Sequence, residues 1–234
     1  KHSEIAKNIY SKYIGLDKKN GLTFQRYIRE STANISPRLR RDFKKIRFDN
    51  MAAGLQCFTE ELIIEWIKNG IQYTGINKIL LSGGVFMNIK LNKLISELSI
   101  VKSVNVFPSC GDESNVFGAS FLLLNKLTKN KLFPFGPYTL GPLPSINSEE
   151  IKKKYSKHCT FTEVENPNYE IAKSLSEGKI IGRCSGRMEF GARALGNRSI
   201  LADPSSHEIV EKVNFLIKQR DFWMPFAPAI RKED

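Results

Sequence analysis

The stretch ILLSGGVFMNIKLNKLISEL, residues 79–98, determines the fold class that the sequence predicts. It opens with a short apolar run, is interrupted by Ser82-Gly83-Gly84, and continues with leucine and isoleucine at three- and four-residue spacing. A short apolar run predicts a buried strand, the paired glycines predict a turn, and the later spacing predicts a helix. The stretch is therefore one strand–turn–helix unit.

The same order of elements recurs in the next part of the chain. Residues 104–107 predict a strand, residues 108–111 a turn, and residues 114–127 a helix. Alternating strands and helices predict an α/β layered domain, and open α/β sheets bind ligands at the carboxyl ends of their strands. We therefore expect the two turns to contribute to a binding site.

A longer helix precedes the first unit. Asp49 or Asn50 suits its N-terminal cap and Gly70 its end. Residues 1–48 are polar, basic and weakly patterned, so we expect an exposed connector whose densest cationic run is RLRRDFKKIR, residues 38–47. The predicted core face of the helix consists of Met51, Leu55, Phe58, Leu62 and Trp66.

A stretch rich in proline and glycine, FPFGPYTLGPLP at residues 133–144, predicts a domain boundary because it cannot continue a helix or a central strand. We expect a first domain at residues 1–132, a linker at 133–145 and a second domain at 146–234. The elements expected in the second domain are a helix from Ser148, a helix at about 169–177, a strand at 179–184, an amphipathic helix with a Ser205–Glu208 capping box that ends near Gln219, and a strand-like run at 225–230.

Composition narrows the class of protein. With 234 residues, 41% of them hydrophobic and 26% charged, the chain is typical of soluble globular protein in one large or two modest domains. The formal net charge of +12 is spread along the predicted helices, which favours a solvated basic surface over a nucleic-acid footprint. The four cysteines form no C-x-x-C motif, and no apolar run could span a bilayer, so we expect a cytoplasmic protein without a membrane partner.

The densest chemistry lies in GRCSGRMEFGARALGNRSILADP, residues 182–204. Arg187, Arg193 and Arg198 each present a planar fork of donors that matches a phosphate or carboxylate, and the glycines let backbone approach a ligand. Arginines packed among glycines add little stability, so an anion site is favoured over a surface turn with solvated arginines. Glu189 either orients an arginine or a ligand hydroxyl, or forms a simple ion pair.

Two further motifs leave alternatives open. The Gly83-Gly84 turn allows backbone amides to approach a phosphate or ribose, but on spacing alone a plain tight turn is favoured. Asp112 is either the N-cap of the following helix, which its residue type favours, or a ligand to a cation beside bound phosphates. The histidines, at positions 2, 158 and 207, are not spaced to complete a metal site.

With these motifs placed, GRMEFGARALGNRSILADP, residues 186–204, strongly resembles the signature of the NodU/CmcH family of O-carbamoyltransferases, which modify nodulation factors and antibiotics. The resemblance runs from about residue 49 to the end of the sequence. Segments similar to the family follow in the same order: DNMAAGLQCFTEELI at 49–63, LSGGVFMN at 81–88, FPSCGDESNVFGAS at 107–120 and VNFLIKQRDFWMPFAPAI at 213–230.

The resemblance implies an α/β fold in which part of an actin-like (ASKHA-type) ATPase-fold domain is followed by part of a YrdC-like domain. It implies that ATP and carbamoyl phosphate form a carbamoyl-adenylate in the YrdC-like part, and that the carbamoyl group then passes to a hydroxyl of a small molecule or glycan. It assigns Asp112 to a divalent metal, iron or magnesium-like. Residues of the adenylating site would be Arg187, Glu189, Arg193 and Arg198, and nucleotide contacts would come from Ser82, Gly83, Gly84, Asn88, Gly111 and Ser199.

The sequence departs from the family pattern in two ways. Ala192 stands where the family usually has proline, so we expect a less rigid turn there. The chain also begins without the N-terminal half-domain that carries the family's metal-binding histidine pair, and ends before the YrdC-like domain does. We therefore expect a fragment or one piece of a split gene, which cannot complete carbamoyl transfer without that half-domain in cis or trans.

Two other functions remain open. A non-catalytic nucleotide- or RNA-binding module is suggested by the net charge of +12, the basic run at 38–47 and the kinship to tRNA-modifying enzymes. A tRNA threonylcarbamoyl-transfer enzyme ranks lower, because that family lacks a segment like GARALGNRS.

Overall fold

The structure is a computed structural model that describes residues 2–129, 139–143, 145, 147–231 and 233. It forms two compact units, Lys1–Leu122 and Leu123–Asp234, and both contain helices and small sheets. The mixed α/β class predicted from the sequence is therefore confirmed. The linker expected at residues 133–145 lies for the most part outside the described residues.

The first unit contains the two predicted strand–turn–helix units. Both predicted strands and the helix at 114–127 are confirmed. Short 3₁₀ turns occupy Thr32–Asn34 and Gly84–Met87. The other elements are α1 (His2–Tyr10), β1 (Ile14–Leu16), β2 (Phe24–Arg26), α2 (Ser36–Asp42), α3 (Phe48–Thr74), β3 (Lys78–Leu81), α4 (Ile89–Ser96), β4 (Ser103–Val106) and α5 (Ser114–Leu127), whose last residues belong to the second unit.

The core of the first unit lies where α3 and α4 pack on the β3–β4 pair. β3 and β4 are parallel, with Leu81 opposite Val106. The carboxyl ends of both strands therefore lie at one edge, and the loops that follow them are neighbours. The buried core residues are Ile63, Ile67, Leu81, Phe86, Leu91, Ile95 and Cys110.

Helix α3 is longer than predicted. It begins at Phe48, continues through Gly70 and ends at Thr74, where Gly75 adopts φ 70° and donates its N–H to the Ile71 carbonyl. The predicted end at Gly70 is wrong because one interior glycine costs about 1 kcal/mol relative to alanine, which a long packed helix tolerates. Its most buried apolar side chains, Ile63 and Ile67, are also not those of the predicted core face.

The expectation that residues 1–48 form an exposed connector is wrong. Helix α1 packs along α3, with Ala6 fully buried against Gly54. β1 and β2 form an antiparallel hairpin, and the Tyr13 hydroxyl donates to Asp42 of α2 at 2.7 Å. Small residues at the α1–α3 contact let the helices approach closely without the repeated large side chains that a sequence pattern detects.

The second unit is built from short elements. β5 pairs with β7 and β6 with β8, both antiparallel. The expected helices from Ser148 and near 169–177 and the strand near 179–184 are confirmed. The elements are β5 (Thr139–Leu140), α6 (Ser148–Tyr155), α7 (Pro167–Ser176), β6 (Ile181–Cys184), β7 (Met188–Glu189), β8 (Arg198–Leu201), α8 (His207–Lys212) and a π-helical turn, Val213–Ile217.

Two local predictions for the second unit are wrong. Ser206, rather than Ser205, caps α8 by accepting the Ile209 N–H, and Glu208 pairs with Lys212 instead of closing a capping box. Residues 225–230 form no strand, since the two prolines in that run lack the N–H groups that a sheet requires.

Candidate functional site

The carboxyl ends of β3 and β4 bring one group of predicted site residues together. Ser82, Gly83 and Gly84 follow β3, and Gly111 and Asp112 follow the neighbouring β4. Gly83 has φ 103° and ψ 154°, a backbone conformation that side chains with a Cβ rarely adopt. No atom lies within 4 Å of a Cβ built at Gly83, so backbone conformation, not lack of space, requires glycine.

The side chain of Asn88 makes hydrogen bonds within the first unit. Its side-chain oxygen caps α4 by accepting the Leu91 N–H at 3.1 Å, and its amide exchanges hydrogen bonds of 2.9 and 3.2 Å with Gln56 of α3. Gln56 also donates to Glu60, which pairs with Lys90. Burial raises the pKa of the Glu60 carboxyl, but these partners outweigh burial and bring the pKa below its usual value. Sequence reasoning missed Gln56, because no local pattern joins positions 56 and 88.

The loop after β4 is held by Glu113. Its carboxylate accepts hydrogen bonds from the Ser109 hydroxyl and from the Gly111 N–H, the latter at 3.1 Å. The hydrogen bond from Ser109 is the main cause that lowers the pKa of Glu113. Asp112 is exposed, and its carboxylate makes no hydrogen bond or ion pair with any residue that the structure describes. Asp112 therefore does not act as the side-chain cap of α5.

The part of the chain that the structure describes does not supply a full ligand set for the metal expected at Asp112. Within the described residues, no group of three or more histidine, cysteine, aspartate or glutamate side chains could hold a metal ion. Asp112 could supply one oxygen, whereas the neighbouring Glu113 is engaged by Ser109 and Gly111. The donor set described here does not fit a complete metal site.

The second group of predicted site residues lies between β6 and β8. The arginine turn is defined as residues 185–199, which comprise the connection between these strands and the first two residues of β8. Cys184 and Arg198 form the β6–β8 pair nearest to the connection between the two strands. The glycines interpreted as turn formers all have positive φ, so that interpretation is confirmed. Their φ values are 59° at Gly186, 126° at Gly191 and 112° at Gly196.

Glu189 and Arg198 stabilise the arginine turn from within. The Glu189 carboxylate accepts the backbone N–H groups of Asn197 and Arg198. Burial raises its pKa, but hydrogen bonds from the backbone of residues 195, 197 and 198, together with the charge of Arg198, lower it overall. The Arg198 guanidinium donates to the carbonyls of Ser185, Gly186 and Asn197 at 2.9 to 3.1 Å. The Glu189 carboxylate thus contacts backbone N–H groups in place of an arginine side chain.

The remaining side chains of the arginine turn differ in the hydrogen bonds and ion pairs that they make with described residues. Arg187 donates to the Gly141 carbonyl at 2.6 Å, and the buried Ser199 hydroxyl accepts the Gly196 N–H at 2.8 Å. Asn197, which sequence reasoning missed, donates its side-chain amide to the Arg187 carbonyl. Arg193 is exposed, and its guanidinium has no hydrogen-bond or ion-pair partner among the described residues. Of the three arginines in the turn, Arg193 is therefore the most available to an external anion.

Comparison with known proteins bears on both groups of residues. A family model described as Carbamoyltransferase N-terminus matches residues 9–121, and one described as Carbamoyltransferase C-terminus matches residues 172–234. The chain belongs to the carbamoyltransferase family. The family resemblance identified from the sequence is thus confirmed. The arginine turn lies within the residues that match the carbamoyltransferase C-terminus.

Individual relatives agree with the family models. The chain is 32% identical to an uncharacterized protein of Methanocaldococcus jannaschii, over 82% of this chain and 32% of that protein. It is 31% identical to nodulation protein NolNO of Sinorhizobium fredii, over 79% of this chain and 28% of NolNO. It is 29% identical to 3'-hydroxymethylcephem-O-carbamoyltransferase of Amycolatopsis lactamdurans, over 67% of this chain and 28% of that enzyme. This chain of the family thus spans about a third of the length of these relatives.

Among the described residues, no helix has both the length and the apolar character that crossing a bilayer requires.

Proposed function

We propose that this chain is part of an ATP-dependent O-carbamoyltransferase that acts on a hydroxyl of a small molecule or glycan. The observation that carries the proposal is Arg193, which is exposed, has no partner among the described residues and lies on a glycine turn inside the C-terminal carbamoyltransferase match. Support for an oxygen acceptor comes from the Amycolatopsis relative, whose name describes carbamoyl transfer to a hydroxymethyl oxygen.

The proposal includes a division of labour between the two units. The first unit would belong to an actin-like ATPase-fold domain, and its parallel β3–β4 pair, with both following loops at one edge, is consistent with that assignment. The second unit would belong to a YrdC-like domain. The half-domain expected from the resemblance would act in cis or in trans, and the chain alone would not complete the transfer.

The proposed chemistry has three steps. Water first hydrolyses carbamoyl phosphate to carbamate and inorganic phosphate. A carbamate oxygen then attacks the α-phosphorus of ATP and expels pyrophosphate. The acceptor oxygen finally attacks the carbonyl carbon of the carbamoyl-adenylate, loses its proton and expels AMP. The adenylation step gathers negative charge around phosphorus, which fixed guanidinium groups stabilise.

Each predicted residue has a role in this proposal. Arg193 would contact the polyphosphate directly, with Arg187 and Arg198 adding positive charge from positions fixed by backbone carbonyls. Glu189 and Ser199 would keep the turn in shape for that contact. In the first unit the carbamoyl-adenylate would be received by Ser82, Gly83, Gly84, Asn88 and Gly111.

A divalent metal, iron or magnesium-like, enters the proposal only as an ion to which Asp112 would be one ligand. When bound, it would supply positive charge beside the adenylate. Its other ligands would come from polypeptide beyond the described residues, because these hold no complete donor set. We further propose a cytoplasmic location, because all four cysteines are free thiols.

Neither alternative function gains support from the basic run at 38–47. Three of its six cations are paired with carboxylates: Arg38 with Glu30, Arg41 with Asp42, and Arg47 with Asp49. The tRNA threonylcarbamoyl-transfer alternative keeps its lower rank, because the arginine turn lies in a match to the carbamoyltransferase C-terminus.

Pyrophosphate exchange tests the adenylation step. The full-length polypeptide that contains this chain, given carbamoyl phosphate, ATP and labelled pyrophosphate, should return label to ATP. Arg193→Ala should slow the exchange by about 100-fold or more, the typical effect of removing one donor to developing charge. Its unfolding midpoint should stay close to that of the wild type, since Arg193 has no partner among the described residues.

Lys153→Ala is a matched control because it removes one exposed positive charge from α6 in the same unit. It should leave the exchange unchanged. Absence of carbamoyl-phosphate-dependent exchange in the wild type would rule out the adenylation step, and an equal loss in both variants would reduce the role of Arg193 to general electrostatics.

A further inference from the structure

We infer that Glu113 is a positioning residue for the nucleotide edge of the first unit: it fixes the 109–111 loop so that Asp112 is presented to ligand. This inference rests on the proposed function, because it assumes that the carboxyl ends of β3 and β4 receive a nucleotide. Neither the family matches nor the sequence motifs assign a role to Glu113.

One end of the 109–111 loop is anchored in the core. Ser109 and Cys110 are only 9% and 5% exposed, and the Cys110 thiol donates to the Phe107 carbonyl at 2.9 Å. The Ser109 hydroxyl donates to Glu113, which lies four residues further along the chain and directly before α5. The buried start of the loop and the start of α5 are thus joined by one carboxylate.

Gly111 is part of the same arrangement. Its N–H donates to Glu113 at 3.1 Å, and a Cβ built at Gly111 would overlap the Glu113 carboxyl group. The carboxylate therefore occupies the space that a side chain at position 111 would fill. Gly111 does not have positive φ, so this overlap, and not backbone conformation, is what disfavours alanine there.

Asp112 lies between the two residues that this arrangement fixes. The Gly111 and Asp112 carbonyls accept the N–H groups of Ser114 and Asn115 at 3.0 and 3.1 Å, which starts α5. The Asp112 backbone is held on both sides, while its carboxylate is exposed and has no partner among the described residues. The Asp112 carboxylate can therefore contact a ligand without first breaking a hydrogen bond or ion pair with a described residue.

The opposite role for Glu113 would be competition with the nucleotide. Its carboxylate would then accept hydrogen bonds from donors that a phosphate would otherwise use. The burial of Ser109 argues against competition. A phosphate from outside could reach a hydroxyl on a residue that is 9% exposed only after the loop opened, whereas Glu113 reaches it from the turn just before α5. The two roles predict opposite effects on affinity when Glu113 is removed.

The test compares Glu113→Ala, Glu113→Gln and Gly111→Ala in the full-length polypeptide that also carries Arg193→Ala, which weakens nucleotide binding at the arginine turn. The dissociation constant of AMP, the nucleotide part of the adenylate that the first unit would receive, is measured by calorimetry well below each unfolding midpoint. Glu113→Ala should bind AMP about 10-fold more weakly, as expected when one well-formed contact is lost. Gly111→Ala should match it, because the new methyl group displaces the carboxylate. Glu113→Gln should restore affinity to within about 3-fold, since its amide oxygen accepts the same two hydrogen bonds.

Glu97→Ala is the control, because it removes an exposed carboxylate at the far end of α4. It should leave AMP affinity unchanged. Normal binding by Glu113→Ala, tighter binding by it, or failure of Glu113→Gln to restore affinity would each overturn the positioning role and leave the proposed function standing. Failure of AMP to bind when residues 111 and 113 are unchanged would overturn the proposed receipt of the adenylate by the first unit, and the inference with it.

Discussion

Two glycines of α3 differ in what a methyl group would meet at each position. A Cβ at Gly54 would lie 2.5 Å from the Ala6 Cβ and 2.7 Å from the Ser3 carbonyl oxygen, whereas no atom lies within 4 Å of one at Gly70. Gly54→Ala should therefore destabilise the protein by about 1–3 kcal/mol through overpacking against α1. Gly70→Ala should stabilise it by about 0.5–1 kcal/mol, because alanine restricts the unfolded chain.

Urea unfolding of the two glycine variants measures both effects in one helix. Each substitution makes the same chemical change, so helix propensity cancels and the difference reports the α1–α3 contact. Equal stabilisation by both substitutions would show that α1 does not pack closely at Gly54.

The arginine turn shows how far residue type alone could predict the site. The sequence predicted correctly that glycines with positive φ separate the arginines. It could not predict that Glu189 and Arg198 bind backbone groups, because all of their partners except the Asn197 carbonyl, to which Arg198 donates, lie 8 to 13 positions away and meet only after β6 and β8 pair. The availability of Arg193 follows from the same pairing, which engages Arg198 and leaves Arg193 outside it.

At the scale of elements, Tyr13 connects the segment between α1 and β1 to α2. Its hydroxyl donates to Asp42 at 2.7 Å, and the side chain is buried, with the Arg38 guanidinium 5.8 Å from the ring centroid. Tyr13→Phe should lower the free energy of unfolding at pH 7 by about 1–2 kcal/mol, since Asp42 loses a hydrogen bond. Tyr73→Phe is the control, because Tyr73 is exposed on α3. It should leave stability unchanged.

The contribution of Tyr13 should also depend on pH. Burial first, and then the hydrogen bond to Asp42, raise the pKa of Tyr13 from 10.0 to about 12. A raised pKa in the folded state means that the contribution is fully present below pH 10 and is lost as pH rises through about 12. Unfolding measured from pH 7 to pH 12, with tyrosinate absorbance followed in parallel, should show the stabilities of wild type and Tyr13→Phe converging. A constant difference across that range would contradict the assignment.

Elements with a strong apolar period were predictable, and elements fixed by tertiary contacts were not. β3, β4 and α5 follow the sequence pattern closely. Helix α1 has nine residues and packs through Ala6, so its pattern is too short and its contact side chain too small to stand out. The cap of α8 was misplaced by one residue because Ser205 and Ser206 are equally suitable in sequence, and only the chain direction entering the helix selects Ser206.

For the whole molecule, the net charge of +12 and the arginine turn favour different ligands. General binding of polyanions depends on unpaired cations over the surface and weakens steeply with salt. Within the basic run at 38–47, Arg40, Lys44 and Lys45 are the cations without an ion pair among the described residues, so they are its contribution to such binding. Binding of ATP should instead depend on the fixed geometry of the turn around Arg193.

These two modes can be separated in one experiment. The triple variant Arg40→Ala, Lys44→Ala, Lys45→Ala should reduce the slope of log affinity against log salt for single-stranded RNA by about 2, since each lost phosphate contact removes about 0.7. Its affinity for ATP should not change, and Arg193→Ala should show the opposite pattern. RNA affinity that survives the triple variant and resists salt would favour an RNA-binding module over the carbamoyltransferase proposal, because such binding could not arise from diffuse positive charge.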